Sequence, residues 1–333
     1  MTQQREQTTV PPLEVGLGFW SMQSTYMRPI PRAQVYREAA DEARLAERLG
    51  FDTLWMGEHH MSYDGYCPSL FPPAAGLLTA TSRLRIASGV MVLPFHPARR
   101  VAEGCAALTS LAPDRFRLAV GIGYRPVEFA AAGVRLADRA ALTDDRLAEL
   151  RGPELSGRMG PTDLWVGTGV SGGVARAARF GASVLLMPTV ASRKVAALRQ
   201  QWSDELVPVA GGPVPRLGVM RECWVDTDPG MVDWARGRLT EMWRHYSNFW
   251  VDDPVARRAR RDELAEQMGR QALFGSPDEV VDRLGRLIEA GSDTLALRVR
   301  FDGVSGGALR RCLRLLAERV LPQLGRPASG VGT

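Results

Sequence analysis

The sequence lacks the long apolar runs, paired cysteines and histidine spacings that mark several protein classes. No apolar run approaches the ~20 residues that a membrane-spanning helix needs, and the polar start lacks the apolar core of a signal peptide. The four cysteines form no CxxC pair, and the four histidines form neither an HxH nor an HExxH motif. We therefore expect a cytoplasmic protein with no membrane segment, no disulfide framework and no metal site.

Lysine is also nearly absent. Lys194 is the only lysine, so the formal net charge of +5 comes from arginine. The arginines alternate with acidic residues, and even the densest run, at 257–261, is followed by Asp262 and Glu263. This pattern, without a basic tail or interleaved aromatics, is typical of solvated helix faces and not of nucleic-acid binding. We expect no nucleic-acid partner and consider a few arginines as candidates for one anionic ligand.

Strand and helix patterns alternate over most of the 333 residues, 45% of which are hydrophobic. Short, mostly apolar runs are typical of parallel strands covered on both faces, and they lie at 14–19, 52–56, 84–92, 116–120, 163–166, 182–187, 217–225 and 294–299. Amphipathic stretches predict helices at 34–49, 98–111, 139–150, 174–180, 193–202 and 304–321. This α/β alternation predicts a single (β/α)8 TIM barrel over 14–324; a doubly wound sheet is the structural alternative.

Two regions disturb this rhythm. The segment after the fourth helix, 151–161, is unusually short, whereas 226–274 is too long for one crossover and predicts two extra helices, at 231–246 and 254–268. Gly50 and Gly181 stand where a helix needs a C-cap before the next strand. We expect a disordered N-terminal segment at 1–13 and a frayed tail at 325–333.

Three titratable side chains directly follow a predicted strand. Glu58, His59 and His60 come after the run at 52–56, and TIM-barrel enzymes carry their functional groups at such strand ends. Adjacent residues of an extended chain point to opposite sides, so His59 and His60 cannot readily share one metal ion. The segment is a candidate for catalysis, or simply for a hydrogen-bonded histidine at a loop start.

A glycine-rich turn, Gly167-Thr168-Gly169-Val170-Ser171-Gly172, follows the strand at 163–166 and matches GxGxxG. A dinucleotide-binding fold needs an acidic residue about 20 positions later to hold the ribose, but no Asp or Glu occurs between Asp163 and Asp204. What remains is a helix start with free N–H groups, which suits one phosphate. The alternative is a plain turn with Ser171 as N-cap.

Two further strand ends contain glycine. Gly121 and Gly123 follow the run at 116–120, and Gly89 lies inside the run at 84–92. The absence of a Cβ lets a flat ligand approach the backbone closely, and Arg125 and Arg139 are available as counter-charges. One phosphate site, glycine-lined walls and a histidine at a neighbouring strand end together indicate a mononucleotide flavin.

These segments resemble the bacterial luciferase-like, flavin-dependent monooxygenases. The resemblance is close over residues 14 to about 150 and looser beyond. Its motifs are Leu49 to Trp55 followed by Glu58-His59-His60, Val92-Leu93-Pro94 with His96-Pro97, Arg115-Phe116, Gly123 to Phe129, Gly275 to Val280, and Val320-Leu321-Pro322.

The resemblance implies a barrel, usually dimeric, that binds reduced FMN supplied by a separate flavin reductase. In that family, O2 adds to the C4a carbon of the flavin, and the resulting peroxide oxygenates a small organic substrate such as an aldehyde or a ketone. By position, His59 matches a histidine that acts as catalytic base or hydrogen-bond partner. Glu58 and His60 are expected to support it.

The resemblance also implies cofactor and substrate contacts. Gly89–Val90 matches a non-proline cis peptide beneath the flavin ring, and Arg139 matches a phosphate-binding arginine. The other candidate cofactor contacts are Gly121, Gly123, Tyr124, Thr168, Gly169, Val170 and Ser171. Trp20 and Tyr124 are candidate walls of the substrate pocket.

The chain departs from the family pattern in three places. Gly121 stands where the luciferase catalytic subunit has a cysteine, so we expect no dependence on a thiol. Ile122 stands where some members carry a phosphate-binding arginine, and the short segment at 151–161 leaves little chain for a lid that excludes water. Loss of the lid would open the site to a bulky substrate. Alternatively, it would mark the chain as a non-catalytic, flavin-binding partner subunit. An F420-dependent oxidoreductase of the same fold, which transfers hydride without oxygen, is the other alternative.

Overall fold

The structure is a computed structural model that describes residues 11–25, 27–159, 162–246 and 254–326, with all side chains except those of residues 19, 20 and 254–260. Most of the predicted disordered start and frayed tail, at 1–10 and 327–333, lies outside the described residues. Within them, Leu13 packs against the core, and Arg326 forms an ion pair with Asp52. No helix in the described ranges is long and apolar enough to cross a membrane.

Eight parallel strand positions close into a barrel, as the alternation predicts. The strands are β1 (Glu14–Trp20), β2 (Thr53–Met56), β3 (Arg85–Ser88), β4 (Met91–Val92), β5 (Phe116–Gly121), β6 (Asp163–Thr168), β7 (Ser183–Leu186), β8 (Leu217–Val225), β9 (Leu273–Gly275) and β10 (Thr294–Arg298). β10 pairs with both β1 and β8, which closes the sheet. β3 and β4 together occupy the third position, and β9 pairs with the end of β8.

Helices cover the outside of this barrel. They are α1 (Arg32–Arg48), α2 (Phe71–Ala80), α3 (Ala98–Leu111), α4 (Pro126–Ala131), α5 (Arg139–Arg151), α6 (Pro153–Met159), α7 (Ser171–Arg179), α8 (Val195–Glu205), α9 (Pro229–Tyr246), α10 (Pro254–Gln271), α11 (Pro277–Glu289) and α12 (Gly306–Leu315). Gly50 and Gly181 follow α1 and α7 with φ of +81° and +57°, a conformation that glycine adopts most easily at a helix end.

The structure confirms the two extra helices of the 226–274 insertion as α9 and α10 and corrects three other details. The predicted strand at 84–92 is divided into β3 and β4, and the Gly89–Val90 peptide between them is cis. The short segment at 151–161 contains the helix α6. The helix α2 was not predicted; Pro72 and Pro73 lie in its first turn, where proline is tolerated.

Two tryptophans fill the inside of the barrel. Trp55 on β2 and Trp165 on β6 are fully buried, and their ring centroids lie 5.3 Å apart in an edge-to-face arrangement. A Cβ on Gly16 would lie 3.0 Å from Nε1 of Trp55, and one on Gly218 would lie 3.0 Å from Cζ3 of Trp165. The same layer contains Ala87, Ala119, Leu185, Met220 and Ala296. Small residues on neighbouring strands therefore compensate for the volume of the indole rings.

Charged side chains close the amino-terminal end of the barrel. Arg117 forms ion pairs with Glu14 and Asp163, and Arg216 pairs with Glu14 at 3.5 Å and with Asp293 at 3.4 Å. Burial alone would raise the pKa of Glu14, but the hydrogen bond and charge of Arg117 outweigh burial and lower this pKa. The buried charges at this end are thus paired, which offsets the cost of removing them from water.

Gly16→Ala tests the packing inside the barrel. The added Cβ would lie 2.7 Å from the backbone oxygen of Thr53, which cannot move aside as a flexible side chain would. We expect the free energy of unfolding to fall by about 1–3 kcal/mol, measured by urea denaturation. The control is Gly285→Ala in α11, where nothing lies within 4 Å and better helix propensity raises stability by up to about 1 kcal/mol. Equal stability of the Gly16→Ala variant and the wild type would contradict this packing account.

Candidate active site

The candidate residues gather at the carboxyl end of the barrel. Glu58, His59 and His60 follow β2, Tyr124 follows β5, and Thr168 is the last residue of β6. Because the barrel strands are parallel, the loops that follow them meet at one end of the barrel. The structure therefore brings the sequence-predicted segments to a common face.

Glu128 fixes the orientation of His59. Oε1 of Glu128 lies 2.9 Å from Nδ1 of His59 and accepts the backbone N–H of His60 at 2.8 Å. The guanidinium of Arg125 lies 3.5 Å from the same oxygen and donates to the carbonyl of His60 at 2.8 Å. A carboxylate surrounded by donors acts as an acceptor, so Nδ1 of His59 carries the proton and Nε2 is left as the acceptor.

Three tyrosines surround the His59 ring. The hydroxyl of Tyr124 lies 3.2 Å from Nε2 of His59, and the rings of Tyr66 and Tyr246 lie edge-on to it, with centroids 4.7 and 6.4 Å away. Burial raises the pKa of all three tyrosines, so their hydroxyls stay protonated at neutral pH. His59 is 8% exposed. Its ring thus lies in an aromatic enclosure with little access to water.

A second buried carboxylate, that of Glu58, holds two other histidines. Its Oε1 lies 2.6 Å from Nε2 of His60 and 2.7 Å from Nε2 of His96, and its Oε2 accepts the backbone N–H of Val92 at 2.9 Å. Burial acts to raise the pKa of Glu58, but the two histidines outweigh it and lower the pKa from 4.5 to about 2. The hydrogen bond to Glu58 in turn raises the pKa of His60. The cluster is therefore an ionised carboxylate between two imidazole rings.

The Glu58 cluster has the side chains that could hold a metal ion. The sequence excludes an ion shared by the adjacent His59 and His60, but the ligand atoms of Glu58, His60 and His96 all lie within 4.8 Å of one another. Residues 58 and 60 are two apart and share one side of the chain. In this structure the carboxylate bonds to both rings directly, and the expectation of no metal stays a prediction.

The glycines at the strand ends make room for Val90. A Cβ on Gly121 would lie 2.7 Å from Cγ2 of Val90, and one on Gly167 would lie 2.4 Å from its Cγ1. The Gly89–Val90 peptide is cis, as the resemblance implies. The glycine at 121 therefore accommodates a side chain of the protein itself, and not the close approach of a ligand that its position predicts. Gly123, with φ of +70°, occupies a turn that favours glycine.

The glycine-rich turn leads into α7, as predicted, but its polar groups differ from expectation. Val170, and not Ser171, is the N-cap, and no side chain caps the helix. The hydroxyl of Thr168 bonds to the backbone of Val170 at 3.1 Å, and that of Ser171 donates to Gln201 at 2.7 Å. Both hydroxyls are thus engaged within the protein, whereas the first N–H groups of a helix have no partner inside it.

Three other candidate residues have no described contact with the turn at 167–172. Arg139, at the start of α5, donates to the carbonyl of Leu136 at 2.8 Å, and no described contact joins it to the turn at 167–172. Arg125, considered as a counter-charge for phosphate, supports the His60 backbone as described above. Trp20 ends β1, but its side chain lies outside the described part of the structure.

Sequence reasoning missed the roles of Glu128 and His96. Both residues lie in quoted motifs, but their partners are 69 and 38 residues away along the chain. The position of each residue in the sequence was a usable signal, because Glu128 and His96 each follow a strand of the barrel. Strand-end position alone, however, does not say which side chains meet.

Comparison with known proteins identifies the family of this chain. The family model described as luciferase-like monooxygenase matches residues 17–294. The chain belongs to the luciferase-like monooxygenase family. A relative in this family, the 4-hydroxyprotoasukamycin monooxygenase of Streptomyces nodosus subsp. asukaensis, is 28% identical over 331 residues, covering 87% of this chain and 87% of that protein.

Two solved structures of similar fold bind different cofactors. The oxygenating component of 3,6-diketocamphane monooxygenase from Pseudomonas putida, in complex with FMN, is 18% identical, with a TM-score of 0.70 over 94% of this chain and 99% of its own. An F420-dependent secondary alcohol dehydrogenase, with an F420–acetone adduct, is 17% identical, with a TM-score of 0.75 over 95% of this chain and 100% of its own. At these identities the likeness concerns the fold.

Glu58→Gln tests the carboxylate that holds His60 and His96. The pKa of Glu58 is lowered from 4.5 to about 2, so its ionised form stabilises the fold above about pH 4.5, and this contribution is lost as the pH falls toward 2. We expect the variant to lower the free energy of unfolding by about 2–3 kcal/mol near pH 6, and the difference from wild type to shrink toward about pH 3. Urea denaturation across this range measures both.

The raised pKa of His60 sets an upper pH limit to the stabilisation that the His60–Glu58 pair provides. Its contribution is complete below 6.5 and is lost as the pH rises through the raised value. The control is Glu103→Gln, whose exposed pair with Arg100 is worth less than about 1 kcal/mol. A pH-independent loss of stability in Glu58→Gln would show that packing, and not charge, explains the cluster.

Proposed function

We propose that the protein is an FMN-dependent monooxygenase that oxygenates a small organic substrate. The observation that carries the proposal is the placement of His59, which Glu128 orients inside an aromatic enclosure at the same barrel end as the cis peptide and the start of α7. Family membership supports the reaction class. The FMN complex of the structurally similar monooxygenase supports the choice of cofactor.

The residues at this end fit a flavin mononucleotide. The start of α7 is uncapped, and a Cβ on Gly172 would meet nothing within 4 Å, so the N–H groups of Ser171 and Gly172 are accessible to a phosphate. Val90, wedged between Gly121 and Gly167, offers an apolar surface for a flat ring. When bound, reduced FMN supplies the electrons that activate O2.

His59 holds or moves a proton at Nε2. Its Nδ1 is committed to Glu128, which stabilises the ring if Nε2 becomes protonated, in the manner of a histidine oriented by a buried acid. The Tyr124 hydroxyl, 3.2 Å from Nε2, places a donor where a reacting oxygen atom would lie. Tyr66 and Tyr246, which are both buried, shield the His59 ring from water on their sides. Glu58 and His60 support the loop through the neighbouring cluster.

We also propose that a separate flavin reductase supplies reduced FMN. The turn at 167–172 has no acidic ribose partner, since no Asp or Glu occurs between Asp163 and Asp204. This absence supports the proposal that the chain does not take electrons from a nicotinamide dinucleotide at that turn.

We propose a homodimer because the family that the sequence resembles is usually dimeric. We propose a cytoplasmic location because the cysteines of the sequence form no CxxC pair.

Cofactor and reaction are tested together. The protein is titrated with FMN and with F420, and photoreduced FMN and labelled dioxygen are then added with a panel of aldehydes and ketones. We expect saturable FMN binding and a product that carries one labelled oxygen atom. Binding of F420 alone, with substrate turnover in the absence of oxygen, would identify the hydride-transferring alternative. Flavin binding without any turnover would identify a partner subunit.

His59→Ala tests the proposed proton-handling group. We expect the oxygenation rate to fall by about 10²–10⁴-fold, the usual contribution of a positioned acid or base. FMN affinity should change much less than the rate, because no described contact joins His59 to the start of α7. Glu128→Gln, which keeps the shape but removes the charge, should lose activity to a smaller extent. A wild-type rate in His59→Ala would refute the assigned role.

A further inference from the structure

A cavity lined by arginine lies between the β7 and β8 loops, outside the His59 enclosure. Its volume is about 310 Å³. Its cationic lining comes from Arg193, in the 3₁₀ turn Ser192–Lys194 before α8, from Arg270 at the end of α10, and from Arg283 and Arg286 on α11. We call it the arginine cavity. It shares no lining residue with the Glu58 and His59 clusters or with the turn at 167–172.

Little of this positive charge is neutralised. Among the described side chains, only Arg270 of the four forms an ion pair, with Glu266. Glu279 acts on Arg283 electrostatically, but its Oε2 accepts the backbone N–H of Ser276 at 2.8 Å in the capping box of α11. Like charges held together without counter-ions repel one another. The cavity therefore has a clear preference for an anion.

A fifth arginine stands behind the cavity wall. Arg221 on β8 is fully buried, and its Nη2 donates to the carbonyl of Val190 at 2.8 Å and lies 3.5 Å from Oγ of Ser192, which lines the cavity. Its Nε has no hydrogen-bond partner among the described atoms. Burial lowers the pKa of Arg221 to about 10; the negative charge of Glu222 opposes this shift, and the positive charge of Arg283 adds to it. A buried cation with an unused donor contributes to a binding field that is already built into the protein.

We propose that the arginine cavity binds a multiply charged oxyanion of the phosphoryl type. Guanidinium groups match the paired oxygens of phosphate with two parallel hydrogen bonds, and arginine remains charged throughout the working pH range. A cavity of this size lies at the lower end of small-molecule pockets, so it accommodates a phosphorylated metabolite or inorganic pyrophosphate. The site is separate from the α7 start and does not depend on the proposed flavin chemistry.

Inorganic pyrophosphate is the probe, and calorimetric titration of the full chain is the measurement. We expect one saturable site, with affinity lowered at least tenfold in Arg283→Gln and in Arg193→Gln. Arg193 is exposed, so its loss does not endanger folding. Arg48→Gln, which removes an exposed arginine at the end of α1, is the control of equal charge change and should stay within twofold of wild type.

Thermal melting separates binding from structural damage. Without anion, Arg286→Gln should melt no lower than wild type, because it removes a repulsive charge. With saturating pyrophosphate the wild type should gain stability, as a ligand that binds only the folded state requires, and Arg286→Gln should gain much less. A variant that melts lower without anion and gains as much with it would overturn the proposal.

Competition with flavin distinguishes the sources of the phosphoryl group. If FMN displaces pyrophosphate and riboflavin does not, the cavity is the flavin's own phosphate pocket, and the proposal of a separate site is wrong. If neither displaces it, the separate site stands. Absence of saturable pyrophosphate binding, or equal binding by the Arg283→Gln and control variants, would also refute it. None of these outcomes depends on oxygenation, so failure here is distinguishable from failure of the proposed function.

Discussion

Edge-to-face packing of Trp55 against Trp165 is the constraint on which the rest of the barrel depends. Their rings occupy volume that other strands give up as glycine and alanine, because a closed sheet of eight strands has a fixed interior. The two tryptophans also contact residues at both ends of the barrel. The guanidinium of Arg117 lies 5.5 Å from the centroid of the Trp165 ring and leads into the ion pairs at the amino-terminal end. A Cβ on Gly89 would lie 3.1 Å from Cβ of Trp55, so the same packing fixes the floor of the candidate active site.

The two buried carboxylates of that site, Glu58 and Glu128, have different structural roles. One oxygen of Glu58 bonds to two histidines and the other accepts a backbone N–H, so both oxygens are engaged and the negative charge is stabilised. Glu128 lies in the first turn of α4, where a negative charge is favoured by the helix dipole. It joins His59, the His60 backbone and Arg125 in one network. The first arrangement holds two histidines on one carboxylate, and the second orients His59 so that its Nε2 faces the hydroxyl of Tyr124.

The alternating pattern predicted eight parallel strands with intervening helices, because parallel strands covered on both faces are apolar runs that a sequence displays directly; the family resemblance favoured the barrel over a doubly wound sheet. It failed where local chemistry departs from that pattern. Residues 84–92 were predicted as one strand because Gly89 was interpreted as a point of close ligand approach and not as a break, and α2 was not predicted. The candidate site was found as far as strand ends and family motifs reveal it. Which carboxylate meets which histidine depends on the angular placement of strands around the barrel, and one sequence does not encode that in any local spacing.

The scarcity of lysine has a practical consequence for chemistry on the protein. Lys194 is exposed and follows Arg193 in the same 3₁₀ turn. An amine-directed reagent therefore meets a single side-chain target in the whole chain, and that target adjoins the arginine cavity. A fluorophore attached there becomes an optical reporter of what enters the cavity, without any engineered cysteine or change elsewhere in the sequence.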